Sequence, residues 1–183
     1  METHEKNTWI ILIRGINVGG NNIVPMKDLR EQLSAVGYSN VRTYIQSGNV
    51  VLEAAKTDNP QICDTVANCI NAEFGFTPKI MALSAEVFQK IITGNPYPDA
   101  VKTPKFLHIH FLAEPALNAD VPTLNALKTD TESFHITDEA VYLYLPDGVW
   151  KSKLAARMEK CLGVAATERN WRSANKILEL AQK

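Results

Sequence analysis

Thr8-Trp9-Ile10-Ile11-Leu12-Ile13 is apolar at odd and even positions alike, so it reads as a strand buried on both faces. Something must cover each side of it. The stretch that follows, Arg14-Gly15-Ile16-Asn17-Val18-Gly19-Gly20-Asn21-Asn22, belongs to a loop from Arg14 to Val24 of eleven residues. Strand-to-helix connections usually take about two to six residues, and long loops of this kind often carry function.

Working outward, Pro25 suits a first helical position, and Met26, Leu29, Leu33 and Val36 form an apolar stripe that stops at Gly37. Val41 to Ile45 and Val50 to Glu53 read as strands, with Ser47-Gly48-Asn49 as turn or bulge material between them. Asn59-Pro60 opens a helix with Ile62, Val66, Cys69, Ile70 and Phe74 inward, ending at Gly75, and Pro78 to Leu83 is a fourth strand. The order is βαββαβ. Two crossovers of one hand in such a unit give the split-βαβ, ferredoxin-like sheet, whose first and third strands are central antiparallel neighbours.

Ser84 caps a short helix to about Ile92, and Thr93 to Pro104 reads as a linker or lid. The cycle then repeats: strand Lys105 to Ala113, helix Val121 to Lys128, strands Ser133 to Ile136 and Val141 to Leu145, helix Trp150 to Leu162, strand Val164 to Ala166, helix Trp171 to Ala181. The expected fold class is α+β: two ferredoxin-like units with antiparallel sheets, residues 1–84 and 105–183, a linking helix and loop over 85–104, and a C-terminal helix.

Composition narrows the function classes. With 19 basic and 20 acidic residues, no global polycation grip on nucleic acid or membrane is indicated. From Trp150 onward, however, there are eight Lys/Arg against three Glu, a net positive last fifth whose plain reading is solvated helix faces. Cys63, Cys69 and Cys161 are odd in number, off metal spacing and set in apolar helical patterns, as reduced, buried cysteines are. The start, Met1-Glu2-Thr3-His4-Glu5-Lys6, is polar and no apolar run approaches membrane length; a cytoplasmic protein with no membrane partner is expected.

Antiparallel pairing should bring Arg14, at the end of the first strand, near Gly48-Asn49, at the start of the third. Arg14, Asn17, Gly19, Gly20, Gln46, Ser47 and Asn49 would then converge as guanidinium, amides and glycine-exposed backbone N–H groups, a lining suited to an oxyanion or a nucleotide edge. A loop pair that merely stabilises itself is the plain alternative. Gly15 and Gly20 have Walker A spacing, but Asn21-Asn22 stand where Lys-Ser/Thr must reach phosphate and magnesium, and G-x-G-x-x-G is absent. Lys27, early in the next helix, would add charge for an anion or simply be solvated.

Three readings compete for His108 and His110, which alternate onto one strand face. A metal site needs more ligands than His135, two strands away, and no carboxylate is placed nearby. An open aromatic face, shared with Tyr142 and Tyr144 while Leu107, Ile109 and Phe111 join Val141, Leu143 and Leu145 under the helices, would stack bases. Burial of that face against another unit or subunit is the preferred third. In Thr167-Glu168-Arg169-Asn170-Trp171-Arg172, Asn170 caps the terminal helix and Trp171 anchors it, while Arg169 and Trp171 also suit an anion or a stacked base. Ser152 and Lys153 fall inside the preceding helix. There is no nucleophile elbow and no obvious nucleophile-base or carboxylate pair.

The combination of Arg14-Gly15-Ile16-Asn17-Val18-Gly19-Gly20, Met26-Lys27-x-Leu29-Arg30, Thr43-Tyr44-Ile45-Gln46-Ser47-Gly48-Asn49, Asn95-Pro96, Ser152-Lys153-Leu154 and Thr167-x-Arg169-Asn170-Trp171 closely resembles the bacterial domain-of-unknown-function family 1697, from about Trp9 to Leu180. The resemblance implies two ferredoxin-like units and no assigned activity; Arg172 and Ser173 depart from the family's usual residues. The function expected is binding of a small anionic or nucleotide-like ligand in a cleft lined by Arg14, Asn17, Gln46, Ser47 and Asn49, with Arg169 and Trp171. The alternatives are a nucleic-acid-binding module, using the basic C-terminal segment and the Tyr142/Tyr144 face, and a structural or partner-binding protein. Cofactor, oligomeric state and enzymatic activity are left open.

Overall fold

The apolar strand at the start of the chain is β1 (Lys6–Arg14) of a computed structural model that describes residues 6–55 and 59–183. The polar start falls, except for Lys6, outside the described residues. Ile10, Ile11, Leu12 and Ile13 are each at most 1% exposed, so both faces of β1 are buried. After it come α1 (Met26–Ala35), β2 (Ser39–Tyr44), β3 (Asn49–Ala55), α2 (Asn59–Phe74) and β4 (Lys79–Ser84). The sheet order is β2-β3-β1-β4, all antiparallel, with β1 and β3 neighbours from Lys6↔Ala55 to Leu12↔Asn49. Trp9, Ile11, Ile13, Val50 and Leu52 share one face, onto which Met26, Leu29 and Leu33 of α1 and Ile62, Val66 and Ile70 of α2 pack. Burying a side chain of that size stabilises the fold by about 1.5 to 3 kcal/mol.

The second cycle follows α3 (Ala85–Thr93), which Ser84 caps through the Val87 N–H at 3.2 Å. It comprises β5 (Leu107–Leu112), α4 (Val121–Leu127), β6 (Ser133–Ile136), β7 (Ala140–Tyr144), α5 (Lys153–Leu162), β8 (Ala166–Asn170) and α6 (Trp171–Ala181). Its sheet order, β6-β7-β5-β8, is the same split-βαβ order as the first. By contact the described chain divides into residues 6–55 and 59–90 with Lys176–Lys183 as one unit, and Ile91–Asn175 as the other.

The second sheet corrects several expectations. Leu107, Ile109 and Phe111 lie opposite Tyr144, Tyr142 and Ala140, whereas His108 and His110 lie opposite Leu143 and Val141. The register is thus one residue from that expected, and each one-residue slip exchanges the faces. His108 and His110 therefore stand on the face that carries α4 and α5, with Val141, Leu143, Leu154 and Met158. Tyr142 is on the other face, 2% exposed, its hydroxyl donating to the Ile91 carbonyl at 2.6 Å, and burial pushes its pKa up to about 12. It cannot stack a base. Ser152 is the N-cap of α5, accepting from the Ala155 N–H, and Trp150 lies on a separate 3-10 turn, Val149–Lys151. β8 begins at Ala166, so Arg169 and Asn170 are strand residues. The three cysteines are free and only half-buried.

Candidate functional site

In the first unit the long loop is a miniature hairpin. Val18 and Asn21 pair in an isolated antiparallel bridge, Asn21 N–H donates to Val18 C=O at 3.1 Å, and Asn17 N–H to Asn22 C=O at 3.1 Å. Gly19 and Gly20, between them, have φ of +59° and +80°. A two-residue turn of this kind needs positive φ at both positions, which glycine adopts without penalty. The Asn22 amide ties the hairpin back to the Gly15 carbonyl.

Asn17 joins this hairpin to the turn between β2 and β3. Its amide nitrogen donates to the carbonyls of Val24 at 2.9 Å and Gln46 at 2.8 Å, and its amide oxygen accepts from the Val24 N–H at 2.8 Å. Asn49, 1% exposed, holds the turn from below through Tyr44 C=O and Ser47 Oγ. Gly48 approaches β1 so closely that a Cβ there would stand 2.5 Å from the Ile13 carbonyl oxygen, and Ile13 N–H donates to Gly48 C=O at 2.8 Å. The convergence expected of the two stretches is therefore present, but Asn17 and Asn49 spend their amides on the loops. What remains outward is the Gln46 side chain and the Gly19-Gly20 backbone, all exposed, while Ser47, also exposed, is engaged by Asn49.

Strain collects at the same place. Among the described residues four non-glycine residues have positive φ, and three of them, Asn17, Asn22 and Ile45, lie in this loop pair. Ile45, at φ +47° and exposed, is the unusual one, because a β-branched side chain crowds its own carbonyl there. Arg14, half-buried at the end of β1, lies directly opposite Lys79, the first residue of β4. Two cations so placed repel one another. Lys79 was not singled out in the sequence, although antiparallel pairing of the fourth strand with the first would have located it. Lys27 is 77% exposed and lies 3.8 Å from Glu31 on its own helix, as a solvated surface pair does. A cavity of about 260 Å³ in this unit is lined by other residues, among them Tyr38, Gln61 and Thr65.

Arg169 and Trp171 belong to the second unit. Burial pushes the Arg169 guanidinium down to about 10, against the opposing pull of Glu168, and its Nη1 donates to the Glu168 carbonyl at 2.7 Å. It remains a cation at neutral pH. Trp171 opens α6 half-buried, and Asn170 caps that helix through the Ser173 N–H at 2.9 Å, as expected.

A carboxylate does stand beside the two histidines, contrary to expectation. Glu168 lies opposite His110 in register and reaches diagonally to His108 Nδ1 at 2.5 Å. A carboxylate can only accept, so Nδ1–H is the donor; Nε2 is buried without a partner among the described residues. Burial disfavours the Glu168 charge, but the His108 hydrogen bond, with the charges of His108, His110 and Arg169, outweighs it and holds the carboxyl below the usual glutamate range. His135 pairs with Tyr142 and so faces the other side. Among the described residues no three His, Cys, Asp or Glu side chains are grouped to hold a metal ion. Tyr97, its backbone clamped by both ends of the Asn95 amide, walls two small cavities of about 280 and 210 Å³.

A chain built of two four-stranded antiparallel sheets, each with its helices, and a strained loop pair on the first defines the class: a two-unit α+β protein. It belongs to the family described as "Protein of unknown function (DUF1697)", whose pattern matches residues 6–142. The solved structure of a conserved bacterial protein from Streptococcus pneumoniae has the same fold, with a TM-score of 0.76 over 98% of this chain and all of that one, at 22% sequence identity. No curated protein matches. No helix among the described residues is long and apolar enough to cross a membrane.

Proposed function

We propose that the first unit binds a small anionic or nucleotide-like ligand on the loop pair formed by residues 14–24 and 45–49, in a cytoplasmic protein built by duplication of one βαββαβ unit. The observation that carries this reading is the pairing of Arg14 directly opposite Lys79 at the foot of the two loops. An anion bound there meets a guanidinium and an ammonium on neighbouring strands at once. Supporting it, the loops are braced by Asn17 and Asn49 with their polar groups outward, and the strain at Ile45 is of the type that clusters at binding sites. Gln46 supplies neutral hydrogen bonds, Gly19 and Gly20 backbone N–H groups, and Arg14 and Lys79 the charge.

The test is the thermal midpoint against orthophosphate, nucleoside mono- and diphosphates and sugar phosphates. A ligand at about a hundred times its dissociation constant adds roughly 2.7 kcal/mol, or about 5 to 10 °C in a chain of this size. The shift should disappear in Lys79→Gln and weaken in Gln46→Ala, both exposed positions. A flat panel, or a shift that survives Lys79→Gln, rejects the reading.

A further inference from the structure

Trp150 is 97% exposed. It stands on the 3-10 turn before α5, and beyond it Lys153, Arg157 and Lys160 recur at intervals of four and three residues. With 3.6 residues per turn these three share one helix face, opposite the buried Leu154, Met158 and Leu162. All three are exposed, as is Lys151, which follows Trp150 in the chain, and none of the four forms an ion pair with a described residue. Glu159 is half-buried and lies about 100° around the helix from Lys160, and Asp147 accepts from the Thr131 hydroxyl at 2.7 Å.

We propose that this face of the second unit binds single-stranded nucleic acid, with a base stacked on the Trp150 indole and the phosphodiester backbone following Lys153, Arg157 and Lys160. The pairing of an open aromatic ring with a run of unpaired cations selects this occupant. A single strand presents base faces and phosphates together, whereas a duplex hides its base faces and the carboxylates of an acidic peptide do not stack on the ring. From Lys153 to Lys160 the stripe extends about 10 Å at 1.5 Å per residue, the reach of a few backbone phosphates. The aromatic contribution comes from Trp150 rather than Tyr142, which is buried.

Fluorescence anisotropy with a labelled oligo-uridine of about a dozen nucleotides tests this on the whole chain, with a duplex hairpin and oligo-glutamate as competitors. Affinity should fall steeply with salt. The triple variant Lys153→Gln, Arg157→Gln, Lys160→Gln should lower the slope of log affinity against log salt by about two, at roughly 0.7 for each phosphate no longer neutralised. Trp150→Ala should weaken binding about five- to a hundred-fold with the slope unchanged. All four positions are exposed, and unchanged circular dichroism and thermal midpoint confirm that the variants fold. Absence of binding at low salt overturns the proposal. So does displacement by oligo-glutamate as effective as by unlabelled oligo-uridine, or a neutral Trp150→Ala, either of which would mark an acidic partner held by charge alone.

Discussion

Asn17→Ala removes three hydrogen bonds at once, and their surroundings set the magnitude. Two of them satisfy the N–H and C=O of Val24, which is 0% exposed, so neither group gains water in exchange. Leaving both unpaired costs about 2 to 3 kcal/mol, taking the low end of the penalty for each. The third, to the Gln46 carbonyl, lies on an exposed residue that water can serve, and its loss costs about 0.5 kcal/mol. Alanine at φ +54° meets no new clash, because asparagine already carries a Cβ there. The sum is about 3 kcal/mol, a large part of the stability of an ordinary domain. Urea denaturation followed by circular dichroism and by tryptophan fluorescence would read it, Trp9 being in the core of the first unit. Asn17→Asp should be no better, since it keeps the acceptor for Val24 N–H but turns carboxylate oxygen toward two carbonyls. A loss under about 1 kcal/mol in Asn17→Ala would refute the view that this side chain braces the loop pair.

Two further outcomes follow from the geometry. Gly48→Ala drives a Cβ against the Ile13 backbone at 2.5 Å and should destabilise by more than about 3 kcal/mol, while Gly163→Ala, at φ +70° with nothing within 4 Å, should cost about 1 kcal/mol; equal losses in urea titration would contradict the close approach. The folded Glu168 carboxyl lies below its usual range, so its stabilisation is present above an ordinary glutamate pKa of about 4.3 and is lost as pH falls through the folded value. Glu168→Gln should therefore lower the midpoint near neutrality and narrow the gap to wild type below about pH 4, and parallel pH–stability curves would show that the His108 interaction contributes nothing.

Much of the candidate site was legible because its signals are local. The turn material at Ser47-Gly48-Asn49 and the caps at Ser84 and Asn170 each act within a few residues. The length of the loop after β1 singled out that loop, and the antiparallel rule placed Gln46 and Ser47 beside it. What Asn17 and Asn49 do there was not legible, because an amide facing a ligand and an amide facing a carbonyl look alike in a sequence.

The sequence by itself determined the order of elements, the class of each βαββαβ unit and the pairing of β1 with β3, since hydrophobic periods and turn residues are properties of short stretches. Only the tertiary structure decided the register of β5 against β7. A strand apolar at most positions fits either face equally well, and a single residue of slip moved Tyr142 into the interior and His108 beneath the helices. The same holds for Glu168 on His108, sixty residues apart. That pair exists because separate strands close into one sheet, and no local pattern records which residues that closure brings together.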